Sequence, residues 1–309
     1  MELDVIIPLY NEQDNIWVLY QTLVKTLENI KYNLIFVDDG SIDKSLEEVT
    51  KVYKEDKKHV KVISFSRNFG KDAAIFAGME ASKAKYAVII DADMQQHPKY
   101  IIEMIDFLKE HIDYDEVAMV NDYGNDTTIQ KSLKNIFYDL MREATKQNYV
   151  AGASDFRLMR RDVVRAIVSM RENNRFTKGL FSWVGFKVYY MNYKPDKRNA
   201  GVSKFKFRRQ VTYAMDGIIN FSVAPLKIII WLGLIMALGA FIYLILLIIK
   251  TLYLGIDVPG YASLMSVILL LGGLILFVLG IIGEYVSKTY LEIKRRPIYV
   301  SKLTLGLEE

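Results

Sequence analysis

The 309-residue chain contains no cysteine, which excludes disulfides, thiolate nucleophiles, cysteine-ligated zinc and iron–sulfur clusters. Histidine is almost as scarce. The only three, His59, His97 and His111, do not form the paired spacing of a zinc protease, so any metal chemistry falls to carboxylate oxygens. Neither a glycine-rich dinucleotide fingerprint nor a Walker-type phosphate loop occurs. An excess of one charge is also lacking: 40 Lys plus Arg against 36 Asp plus Glu leave a formal charge of +4, too little to capture nucleic acid by bulk electrostatics. There is no internal repeat and no low-complexity tract. With 51% apolar and 25% charged residues, the chain has the composition to bury a core, and a disordered polymer is excluded. The opening Met1-Glu2-Leu3-Asp4-Val5-Ile6-Ile7-Pro8 carries acids where a signal peptide needs cations, so no export signal is expected.

What the chain has is apolar sequence concentrated near its end. Residues 228–249 and 264–282 are two runs without one charge, each near the ~20 residues that cross a bilayer as a helix. Buried core helices are the alternative, but they seldom reach this length without a polar face. Lys204, Lys206, Arg208, Arg209 and Lys227 precede the first run, and Lys288, Lys294, Arg295, Arg296 and Lys302 follow the second. The intervening 250–263 has one Lys and one Asp. By the positive-inside rule both flanks face the cytoplasm, giving a multi-pass protein of the cell membrane with its head and both termini cytoplasmic. The expected division is a head over 1–200, a juxtamembrane amphipathic segment over 201–227, the two spans with an extracytoplasmic loop at 250–263, and a basic tail over 283–309. Ser203 to Arg209 and the apolar and aromatic residues after it have the mixture of an interfacial helix, with a solvated linker as the alternative. Tyr285 to Tyr299 is a second amphipathic candidate for the same lipid surface.

Within the head, short β-rich runs (Asp4–Ile7, Leu34–Val37, Val60–Phe65, Tyr86–Ile90) alternate with helical patterns at Asn15–Asn29 and Asp43–Tyr53. That rhythm predicts an α/β fold with a mostly parallel, Rossmann-like sheet. Each run ends in a polar cluster, where open α/β sheets bind ligands. Asp91 and Asp93 follow the fourth run one residue apart. In an extended chain they point the same way, and Gln95 follows on that face if the extension persists. Two hard oxygen donors beside a phosphate suit Mg²⁺ or Mn²⁺. Asp at a strand end is also an ordinary turn former or helix cap. Asp38-Asp39-Gly40-Ser41 is equally open: a strand-to-helix turn, or carboxylates for a base or ribose. Asp155 stands beside Arg157, Arg160 and Arg161, as a salt-bridged residue or as a carboxylate poised at an acceptor.

Taken together, Pro8-Leu9-Tyr10-Asn11-Glu12, Asp38-Asp39-Gly40-Ser41, Ser66-Arg67-Asn68-Phe69-Gly70-Lys71, Asp91-Ala92-Asp93-Met94-Gln95, Asp155-Phe156-Arg157, Arg175-Phe176, Trp183-Val184-Gly185-Phe186 and Arg198 to Lys204 resemble the GT-A glycosyltransferases of family 2. The similarity is to the dolichyl-phosphate-mannose-synthase-like branch, and within it to bacterial polyprenyl-phosphate glycosyltransferases with two C-terminal transmembrane helices. The resemblance implies an inverting transfer from a nucleotide sugar, UDP-glucose or UDP-N-acetylglucosamine, to polyprenyl (undecaprenyl) phosphate at a lipid bilayer, for cell-envelope glycan modification. A homo-oligomer is compatible with it. It implies that Pro8, Tyr10, Glu12, Asp39, Asp91, Ala92 and Gln95 hold the nucleotide sugar and that Asp91, Asp93 and Gln95 form the metal site. Arg175, Arg198, Ser203 and Lys204 are implied phosphate contacts, and Asp93 and Asp155 the catalytic carboxylates. Gln96-His97-Pro98 departs from the usual acidic-Pro-Pro, and Lys178 stands where Arg is common. A processive polysaccharide synthase expects a Gln-x-x-Arg-Trp motif, but none of Trp17, Trp183 and Trp231 follows an Arg. A non-catalytic scaffold expects broken motifs, and these are intact.

Overall fold

The computed structural model describes residues 1–121, 150, 152–173, 175–194, 223–254 and 260–307. Its centre is an eight-stranded sheet in the order β7-β5-β6-β4-β1-β2-β3-β8. The strands are β1 (Leu3–Leu9), β2 (Tyr32–Asp38), β3 (Val60–Phe65), β4 (Tyr86–Ile89), β5 (Glu116–Asn121), β6 (Ala153–Arg160), β7 (Val188–Tyr193) and β8 (Ser301–Leu305). The helices of the head are α1 (Ile16–Thr26), α2 (Ser45–Glu55), α3 (Lys71–Ala81), α4 (Lys99–Glu110), α5 (Arg161–Ser169) and α6 (Thr177–Trp183).

The first four strands form the parallel half that the alternating pattern predicts, with β1 between β2 and β4. Every residue of β1 is buried, as expected for a strand covered by helices on both faces. On one side α1 inserts Ile16, Leu19, Tyr20 and Leu23, and α4 inserts Ile101, Met104, Ile105 and Leu108, each set at helical spacing. On the other, α3 lies so close to β1 that a Cβ on Gly78 would sit 2.2 Å from Ile6 Cγ2.

The rest of the sheet is mixed. β6 runs antiparallel between β4 and β5, and β8 antiparallel beside β3. The β4–β6 register pairs Ile89 with Arg157. Continued two residues outward, it faces Asp91 with Asp155, although 64 positions separate them in sequence (155 − 91).

Two long helices follow, α7 (Ala224–Leu254) and α8 (Tyr261–Ile293). Their apolar stretches, Pro225–Tyr243 and Ser263–Ile293, have mean hydropathies of 2.2 and 2.9 and are not buried within the chain. They are long and apolar enough to cross a membrane and anchor the protein there. The first part of the Tyr285 to Tyr299 stretch is helical as a continuation of α8, which runs to Ile293. The stretch expected as a basic tail contains a strand. Residues 301–305 return to the sheet as edge strand β8, and Ile298, Tyr299 and Leu307 pack on the cluster around Phe65, Ala73 and Ala77. Tyr299 stacks on Phe65 at 4.8 Å between ring centroids and donates its hydroxyl to Glu80 Oε2 at 2.8 Å. At the foot of α8, Glu292 accepts the Asn173 amide N–H at 2.8 Å. Strand β8 thus brings the chain after α8 back to the sheet that precedes α7.

Candidate active site

The site lies at the carboxyl ends of β1, β2, β3 and β4 and the amino end of β6. Its rim is built first by backbone conformation. Asn11 takes φ +56°, an uncommon value for a residue with a side chain, and is held there from both sides. Its N–H donates to Ser41 Oγ at 2.9 Å, and its side-chain oxygen accepts Ile42 N–H at 2.9 Å. Glu12 N–H donates to Ser45 Oγ at 2.8 Å, so the β1–α1 and β2–α2 loops are sewn together. Gly40 has φ +66°, and a Cβ there would lie 2.4 Å from the Arg67 carbonyl carbon; only glycine lets the β2 and β3 loops close on each other.

Asp39 completes that closure. Its carboxylate accepts Phe69 N–H at 2.7 Å and Gly70 N–H at 3.0 Å, which fixes the turn that starts α3. Burial pushes its carboxyl up to about 6, although both amides favour the ionised form. Asp38 beneath it is buried and accepts Ser64 Oγ at 2.8 Å and Ser41 N–H at 3.0 Å. Of the nucleotide-sugar set, Tyr10 and Glu12 stand half-buried at the rim, with Glu12 Oε2 accepting Asn15 Nδ2 at 2.7 Å. Pro8 and Ala92 are instead buried, and Ala92 belongs to the core, so only their backbone can face a ligand.

The β4 loop brings the charged groups together. Asp91 and Asp93 are half-buried while Ala92 between them points inward. The extension does not persist to Gln95. Met94 adopts φ +61° and turns the chain, and Gln95 N–H donates back to Asp93 Oδ1 at 3.1 Å. Gln95 therefore does not continue the face of the two aspartates. Gln96, which the sequence reading passes over as a site residue, takes a place there: its side chain accepts Asp91 N–H at 2.9 Å and donates to Asp91 Oδ2 at 3.1 Å.

Lys71 is the second residue missed. Its Nζ lies 2.7 Å from Asp91 Oδ1 and 2.9 Å from Asp155 Oδ2, joining strand ends that the β4–β6 register sets opposite each other. Desolvation in the cleft works against the lysine's charge, but Asp155 and Asp91 outweigh it and raise its pKa. Desolvation likewise disfavours ionised Asp155, yet Lys71, Lys178 and Arg157 hold its carboxyl well below the usual carboxylate range. The signal for Lys71 was present as the end of Ser66-Arg67-Asn68-Phe69-Gly70-Lys71, but nothing in sequence separates a rim cation from a solvated one.

Arg175, an implied phosphate contact, is placed against the end of α5. Its guanidinium is buried, donates to the Met170 and Ile167 carbonyls at the end of α5, and lies 4.3 Å from the Phe76 ring centroid. In this position it serves as a helix C-terminal cation. Arg198, Ser203, Lys204 and the segment to Arg209 lie outside the described residues. Among the described residues no three His, Asp or Glu side chains are grouped to enclose a metal ion. The donors present, Asp91 and Asp93, are nonetheless hard oxygens, and Asp91 Oδ1 already holds a cation in the Lys71 ammonium. They fit a divalent ion whose shell is completed by water and phosphate.

The carboxylate–cation cluster lies at the carboxyl ends of the parallel strands, where open α/β sheets bind their ligands. Residues 4–168 match glycosyl transferase family 2, and 224–289 match the GtrB C-terminal hairpin. The chain belongs to glycosyl transferase family 2 and is a glycosyltransferase. It is 39% identical to a glycosyltransferase of Synechocystis sp. over 100% of this chain and 97% of that one. It is 35% identical to the prophage bactoprenol glucosyl transferase homolog of Escherichia coli K12 (98% and 99%) and 34% to the bactoprenol glucosyl transferase of Shigella phage SfII (98% of each). A Mycobacterium tuberculosis glucosyl-3-phosphoglycerate synthase, solved with Mn²⁺, UDP and its product, superposes with a TM-score of 0.54 at 16% identity, over 71% of this chain and 77% of that one. It shares the GT-A fold.

Proposed function

We propose that the chain moves glucose from UDP-glucose to a polyprenyl phosphate, with inversion at the anomeric carbon. The observation that carries this reading is the presence of the Asp91–Lys71–Asp155 cluster in a head whose edge strand β8 is the next element after the apolar helix α8. Such a head works where a lipid phosphate is presented. The bactoprenol glucosyl transferases that this chain resembles over 98% of its length support the lipid and the sugar. Basic residues on both flanks of the hairpin support a cytoplasmic head, where nucleotide sugars are made available.

In this reading Tyr10, Glu12 and Asp39 line the nucleoside side, and Asp91 and Asp93 hold Mg²⁺ or Mn²⁺, which supplies positive charge for the departing diphosphate. The acceptor phosphate, with a second pKa near ~6, is mostly dianionic at pH 7, so the step needs orientation more than a base. Asp155, held ionised far below neutrality, is a weak base and instead fixes Lys71. Arg198, Ser203 and Lys204 remain the proposed contacts of the acceptor phosphate.

The test is purified protein in detergent with undecaprenyl phosphate, a panel of nucleotide sugars and Mg²⁺ or Mn²⁺. The expected outcome is release of UDP from UDP-glucose, a lipid product heavier by one hexose and β-linked by anomeric proton coupling, and loss of both signals in EDTA. Transfer from UDP-N-acetylglucosamine in preference would replace the sugar. No lipid product from any donor would sink the reading.

A further inference from the structure

Asp91 and Asp155 belong to different strands, and a single ammonium satisfies both. Lys71 Nζ is 2.7 Å from Asp91 Oδ1 and 2.9 Å from Asp155 Oδ2, the positions a small cation would take between two carboxylates. The arrangement is prepared from each side. Gln96 binds Asp91 Oδ2 and leaves Oδ1 turned to the lysine. The root of Lys71 is fixed, because it follows Gly70, whose φ of +102° is held by the hydrogen bond to Asp39. Beyond that root the side chain is 46% exposed, long and unbranched, so the ammonium can leave while the backbone stays.

We propose that Lys71 is a resident counter-cation that keeps free divalent metal out of the site until a nucleoside diphosphate arrives. The proposal rests on the reading of Asp91 and Asp93 as metal ligands. The ammonium takes up one acceptor site of Asp91 Oδ1, and a positive charge so close repels a second, double one. A diphosphate changes both terms at once. It offers Lys71 another anionic partner, and it brings oxygens to complete the shell of an ion that two carboxylates alone hold weakly. Metal and nucleotide then bind synergistically, and by linkage each raises the affinity of the other. The site thereby selects the metal–nucleotide pair over the bare ion.

The experiment is Mn²⁺ binding to the full chain in detergent, read by electron paramagnetic resonance of the free ion, with and without UDP. The wild type should bind Mn²⁺ weakly alone and much more tightly with UDP. Lys71→Met, which keeps the stem and deletes the charge, should bind Mn²⁺ alone roughly ten-fold or more tighter, and UDP should then add less. Lys71→Arg, which keeps the charge, should stay near the wild type without UDP. Lys71→Gln serves as the uncharged variant if Lys71→Met melts early. Unchanged or weaker Mn²⁺ affinity in the uncharged variants, with UDP still drawing Mn²⁺ into the wild type, overturns the proposal and leaves the metal reading standing. No Mn²⁺ binding by the wild type even with UDP overturns both.

Discussion

Asp4 and Asp91 are carboxylates on neighbouring strands of one sheet, at opposite ends. Asp4, near the amino end of β1, is fully buried and accepts bonds from Asn33 Nδ2, Ser82 Oγ, Lys83 N–H and Ala84 N–H at 2.6–2.8 Å. Asp91, past the carboxyl end of β4, is half-buried, shares its cation with Asp155 and faces a rim of loops. A closed set of short donors marks a carboxylate that holds the fold, whereas a carboxylate that shares one long, part-exposed cation can exchange it for a ligand. Burial or charge alone does not separate the two, since Asp39 is also buried and stands at the rim.

Removing charge at the open end should have the largest effect. Asp93→Asn keeps shape and loses the metal's charge partner, so transfer should fall on the order of 10²–10³-fold with melting near the wild type. Lipid-product mass spectrometry and thermal melting in detergent check the two halves of that statement.

At the closed end the balance reverses. Asp4→Ala strands the Ser82 hydroxyl and the Lys83 and Ala84 amides, at about 1–3 kcal/mol for each unsatisfied group. Melting should drop by roughly 10 °C or more, while transfer per folded molecule stays near the wild type. A large fall in transfer without a fall in melting temperature would erase the contrast.

Glu80 extends the comparison to the β3–β8 edge, where it pairs with Arg171 at 2.7 Å and accepts the Tyr299 hydroxyl. Tyr299→Phe keeps the stacking on Phe65 and deletes one hydrogen bond, a loss of about 1 kcal/mol. Proteolysis of the C-terminal strand should rise several-fold, with little change in UDP binding.

The smallest effect is one of pH. Asp39 has a carboxyl raised to about 6 in the fold, so the folded state binds the proton more tightly than the unfolded chain does. Its contribution to stability is present below the unfolded pKa near ~4 and is lost as pH rises through about 6. Asp39→Asn should flatten that slope by on the order of 1 kcal/mol, read as melting temperature against pH.

The parallel half of the fold was legible because its strands are continuous apolar runs separated by helices of regular spacing. Strand β8 was not. Ser-Lys-Leu-Thr-Leu is short, follows a cluster of cations and is recruited by pairing with β3, a contact that no local pattern announces. The Asp91-Ala92-Asp93 carboxylates were legible as a strand-end pair, whereas their partners came from elsewhere. Lys71 arrives from another loop, Asp155 through an antiparallel register, and Gln96 through a turn at Met94 that an extended reading misses. The bonds of Arg175 to helix carbonyls are equally silent in the sequence, where it is one cation in a motif.

The most direct test of the contrast between the two ends is Asp155→Asn, with transfer to undecaprenyl phosphate and melting temperature measured on the same preparation. Transfer should fall roughly 10²-fold or more, with melting within about 2 °C of the wild type. Wild-type transfer with a melting temperature several degrees lower would make Asp155 a structural carboxylate like Asp4, and would contradict the site.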